Sequence, residues 1–225
     1  GLRWCGPSRA GGCFVTMAAS DHKDIEAALK KLWPETHYDA DERCMALKDI
    51  KDELDERGAD VPGATMSHDD TQEWRIATAI VEGILKKDIV SEAISNAITL
   101  LDALMKRAHL QATRVRLLSI IAGELSTAKM RKNPQSTGVR ETWSRAFTTV
   151  STSRWLGEVD DETVKSCVEQ VLPVASTEGD NDASRAIHIQ VLESFADFVL
   201  HFGSALADTA QQSIVDGMVS LLGSE

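Results

Sequence analysis

DDETVKSCVEQVLPVASTEGDNDASRAIHIQVLESFADFVLHF, residues 160–202, divides at one loop into two segments of helical length. The first begins at Asp160-Asp161 and ends around Pro173, because the residue before a proline avoids the α region. STEGDND, residues 176–182, is the loop. The second segment, about 183–202, carries Ile187, Ile189, Val191, Leu192, Phe195, Phe198, Val199 and Leu200 and is closed by Gly203. Two helices joined by a short loop are expected to lie side by side.

The same grammar extends in both directions. Toward the N-terminus, Ser20 can cap a helix over 21–33 that Pro34 stops. A helix over 40–57 carries Met45, Leu47, Ile50 and Leu54 and ends at Gly58. A third is capped by Asp69 or Asp70 and runs to Lys86-Lys87, whose charges suit the negative end of a helix dipole. Further helices are expected at about 89–108, 110–130 and 139–156, with a linker at 131–138 and a last helix at about 206–222. No segment alternates with the period of two that marks a strand. The fold class is therefore all-α, with about nine helices.

A unit recurs within this series. An Arg stands in the first turn of a helix and an apolar run follows: IATAIVEGIL after Arg75, LLSIIAGEL after Arg116, AIHIQVLESFADFVL after Arg185. Arg43 and Arg145 open two other helices in the same way, and the five are spaced by 32, 41, 29 and 40 residues. In the 160–202 unit, Leu172-Pro173 closes the first helix and Asp182 precedes Arg185 by three residues. This pattern resembles the HEAT/armadillo superfamily of helical repeats. The resemblance is best over 160–202 and weaker over most of 20–222; the middle units lack the proline and the period is irregular. It implies a right-handed α-solenoid of antiparallel helix pairs over 20–225. It also implies a structural ladder between adjacent repeats, with Asp70, Arg75, Asp182 and Arg185 in that role.

The motifs that carry chemistry are absent from the sequence. It contains no phosphate-binding glycine loop, no His-Glu-x-x-His zinc motif, no nucleophile elbow and no calcium loop. The six histidines, His22, His37, His68, His109, His188 and His201, never share a helix face at ligand spacing. The four cysteines, Cys5, Cys13, Cys44 and Cys167, form no Cys-x-x-Cys pair, so no metal and no cofactor is expected. Cys44 and Cys167 read as small buried residues of helices. The acidic groups at 39–42 and 52–56 stand beside Lys48 and Lys51 and read as solvated faces. Trp74 and Trp143 read as packing residues, Trp33 and Trp155 as the more exposed pair. The expectation is a protein that is not an enzyme.

Charge is the feature with a mechanism. The net charge is −11, yet residues 103–154 hold ten basic and two acidic side chains, so the rest of the chain carries −19. Lys106, Arg107, Lys129, Arg131, Lys132 and Arg140 are the candidate binding residues of a basic patch. Such a patch would suit acidic protein tails, tubulin-like ones included, or nucleic-acid phosphates. The alternative is that these cations pair with acids of neighbouring helices. A sequence pI near 5.0 disfavours nucleic acid. The expected role is a protein-binding scaffold, adaptor or subunit of a larger complex. No run of 18 apolar residues occurs, so no membrane insertion is expected. Residues 1–19 are Gly-rich and acid-free and are expected to lie outside the fold. They read as upstream sequence before a start at Met17, or as the remnant of an organellar transit peptide. The first reading places the protein in the cytoplasm, the second in an organelle.

Overall fold

A computed structural model describes residues 21–33, 38–57, 72–87, 90–106, 111–129, 136–175 and 182–203, together with 212, 215, 216 and 219. Among these the elements are helices, with no strand. They are α1 (Asp21–Lys31), α2 (Ala40–Arg57), α3 (Gln72–Thr78, continued by a π-helical stretch Ala79–Leu85), α4 (Ser91–Met105), α5 (Gln111–Lys129), α6 (Ser136–Val150), α7 (Ser153–Leu156), α8 (Asp161–Ala175) and α9 (Asp182–Phe202). The proposed caps Ser20, Asp69 and Asp70 lie outside the described residues, as does segment 1–19. Of the expected last helix, the four described residues are helical.

Each helix forms because its apolar residues recur on one side. In α1, Ile25, Ala28, Leu29 and Leu32 are buried at spacings of three and four. α2 opens with a reciprocal capping box: the Glu42 N–H donates to Asp39 Oδ1 at 2.8 Å and the Asp39 N–H to Glu42 Oε2 at 3.2 Å. Ala46, Leu47, Ile50 and Leu54 then bury one face. Met45, counted with that set in the sequence, is 63% exposed. Two residues turn a helix by about 200°, so Met45 and Leu47 point to opposite sides.

The third helix departs from the expected regular α-helix. From Ala79 to Leu85 it widens into a π-helix, closed by the Lys86 N–H donating to Val81 O at 3.1 Å. Ala79, Ile80, Val81, Gly83, Ile84 and Leu85 are all buried there, while Thr78, Glu82 and Lys86 lie at intervals of four as its polar line. Gly83 permits the fit, since a Cβ at that position would stand 2.6 Å from the Leu32 carbonyl oxygen at the end of α1.

Two further boundaries correct the sequence reading. The segment expected as one helix over 139–156 starts at Ser136, inside the expected linker, and breaks after Val150; α7 is separate and is followed by Gly157 at φ 64°. α8 continues through Pro173 to Ala175. The proline is exposed, so its missing N–H falls on the solvent side of the last turn. In α9, Val191, Phe195 and Phe198 are buried, whereas Ile189 and Leu200 of the expected apolar run are 48% and 84% exposed.

The helices pack in two rows. α2, α4, α6 and α9 touch in that order, and α3, α5 and α8 form the second row. Cross-packing joins α1 to α2, α3 with its π-helical extension to α4, α5 to α6 and α8 to α9. One apolar core threads the rows from Ile25 to Phe198. None of the principal contacts of α1, α2 or α3 reaches α8 or α9. No helix among the described residues is long and apolar enough to cross a membrane.

Candidate functional site

Of the basic candidates, Lys106 and Arg140 fall among the described residues. Lys106 caps the end of α4 and pairs with Asp102 at 2.5 Å. Arg140 lies in the second turn of α6, half-buried, with a buried Nε that has no hydrogen-bond partner. Arg107, Arg131 and Lys132, and the side chain of Lys129, are outside the described residues. Other cations of the basic window are engaged in the fold. Arg114 is buried, which lowers its guanidinium below its usual range. The Arg116 guanidinium lies 4.1 Å from the centroid of the Trp74 ring.

Of the proposed ladder, Arg75 is described in full. Its guanidinium forks onto the Glu26 carboxylate of α1, with Nη2 donating to Oε2 at 2.6 Å and Nη1 to Oε1. Asp70 and the side chains of Asp182 and Arg185 lie outside the described residues. An acid pairing with Arg75 from α1, two helices earlier, was not read from the sequence; Glu26 carries no local signal of that role, being 49 residues away.

Among the described residues, Cys44, Cys167 and His201 are the cysteines and histidine whose side chains are placed. No cluster of His, Cys, Asp and Glu suited to a metal ion occurs among the described residues. Cys167 is buried in α8, and burial pushes its thiol up to about 12. Cys44 is half-buried in α2. His201 is exposed, its Nδ1 beside the Asp197 carbonyl at 2.9 Å. Trp143 is buried, Trp74 nearly so, and Trp33 packs half-buried against the core; the Trp155 side chain is outside the described residues.

The concave feature of interest lies along α5. Ala112, Val115, Arg116, Ser119 and Ile120 share one side of this helix, at spacings of three and four. With Val159, Asp160 and Thr163 they border a groove of about 810 Å³ that Gln111 and Glu158 close at one end. The far wall is held by a specific device. Gln111 Nε2 donates to the Glu158 carbonyl at 2.7 Å and to the Leu156 carbonyl, tying the turn between α7 and α8 to the start of α5. Gly157 supplies the positive φ of that turn. Asp160 then caps α8, accepting from the Thr163 N–H at 2.9 Å and the Thr163 hydroxyl at 2.7 Å. The Thr163 N–H, followed by its hydroxyl, holds the Asp160 carboxyl below its ordinary value, so it is an anion at neutral pH.

Along α5 the lining is small or apolar except for Arg116, and the segment after α7 brings Glu158 and Asp160 to it. The Glu158 side chain is exposed and has no ion pair among the described residues. Sequence reading missed this site because its far wall depends on the break between α6 and α7. One signal was present: from Gln111 to Gly123 the fifth helix contains no acid, and its side with Ala112, Val115, Ser119 and Ile120 bears one charge. Comparison of the chain with protein-family models, curated proteins and solved structures finds no match.

Proposed function

We propose that the chain is a non-catalytic scaffold or adaptor of HEAT/armadillo-like type, a right-handed solenoid of antiparallel helix pairs that holds a segment of another protein. The observation that carries this reading is the order of packing. Each row advances by one helix per pair, and contacts stay between neighbours, as expected of a quasi-one-dimensional repeat array. Such arrays expose long surfaces on which partners bind through many modest contacts.

Two measurements test the proposal. Small-angle scattering of the full chain should give a radius of gyration above the value of about 17 Å expected for a compact 225-residue domain. Immobilised full chain should retain a defined protein partner from its native source, with recovery that survives competition by unrelated acidic protein. A compact scattering profile sinks the solenoid, and the absence of any retained partner sinks the scaffold.

A further inference from the structure

We infer that the groove between α5 and the α7–α8 turn is a docking site for a short, basic, amphipathic helix of a partner protein. This rests on the scaffold reading above and names the chemistry of what the scaffold holds. The floor of the groove belongs to α5, whose backbone is already bonded within the helix, so it offers no row of N–H and C=O groups to an extended chain. An occupant whose own backbone is satisfied fits such a surface, and that occupant is a helix. Ala112 and Ser119 are small and exposed, so a second helix axis can approach closely there. From Ala112 to Ile120 the floor is about 12 Å long, room for two to three turns carrying two apolar anchors.

Charge then selects the sequence of that helix. Glu158 and Asp160 face the groove from one wall, and Asp161 and Glu162 stand exposed just beyond. A Lys or Arg one turn from an apolar anchor would meet Glu158. Nucleic acid and anionic lipid are repelled by the same carboxylates and by the net charge of −11.

A random 12-residue peptide display library, selected against the full chain, tests this without presuming a partner. The expected winners carry Leu, Ile, Val, Met or Phe three or four residues from Lys or Arg. Synthetic copies should lose at least tenfold in affinity against Glu158→Lys and against Ser119→Arg, both exposed positions whose replacement leaves the melting temperature in place. Glu141→Lys makes the same charge change on α6 outside the groove and should alter affinity less than twofold. Winners that are acidic, or that bind both groove variants as well as the parent, overturn the groove assignment while leaving the scaffold reading standing. A chain that dimerises until Ser119→Arg separates it makes a second copy the occupant and overturns the assignment too. If no peptide is enriched, both readings fall.

Discussion

At the scale of single residues, the sharpest test of the packing is Gly83. In an ordinary helix interior, Gly→Ala stabilises by about 1 kcal/mol. Here the new Cβ would meet the Leu32 carbonyl oxygen at 2.6 Å, and backbone cannot move aside as a flexible side chain can. Gly83→Ala should therefore destabilise, by about 1–3 kcal/mol, the range for overpacked cores; a shift of the denaturant midpoint to higher concentration would refute the close approach. Cys167 gives a second residue-scale test. With its thiol pushed up to about 12 and its side chain buried, it should resist iodoacetamide at pH 8 and label only on unfolding, as read by peptide mapping. Labelling in the folded protein would show that α8 opens readily.

Elements add a different kind of test, because caps and turns act on whole helices. Asp160 accepts two hydrogen bonds at the start of α8, and its carboxyl is held below the ordinary 3.8. A carboxyl lowered in the folded state contributes stability that is present above the unfolded value and is lost as pH falls through the folded one. Melting temperature followed from pH 6 down to pH 2 should thus fall less steeply for Asp160→Asn, which keeps an acceptor but does not titrate. Asp160→Ala should lower it already at neutral pH, and identical acid limbs for Asn variant and parent would remove Asp160 from the account. Most of this level was legible in the sequence. The bounds of α2 are those expected, since Leu47, Ile50 and Leu54 recur at helical spacing within it. What escaped depended on contacts distant in the chain. The π-helical stretch answers to Leu32 at the end of α1. The wall of the groove answers to Gln111, 45 residues before the Leu156 carbonyl it binds. Local spacing also overstated α9: Ile189 and Leu200 belong to an apolar run but not to its buried side, which Val191, Phe195 and Phe198 define by steps of four and three.

For the whole molecule, the question is whether one core or a chain of local cores holds the fold. The apolar cluster is continuous from Ile25 to Phe198, which taken alone would suit a single cooperative unit. The packing order argues otherwise, since the principal partners of α9 are α6, α7 and α8, and α1 packs chiefly on α2. In an array stabilised by neighbour interfaces, damage stays near where it is made. Phe195 is fully buried in α9, and Phe195→Ala should cost about 3–5 kcal/mol at its own site. Amide hydrogen exchange should then rise over α6, α8 and α9, while protection at buried positions of α1 and α2, such as Leu29 and Ile50, stays within a few-fold of the parent. The reciprocal variant, Ile50→Ala in α2, should loosen α1 and α4 and leave Phe198 protected. Uniform acceleration across all helices in both variants would show a single all-or-none core and would remove the physical basis for a repeat array, whatever the rows of helices suggest.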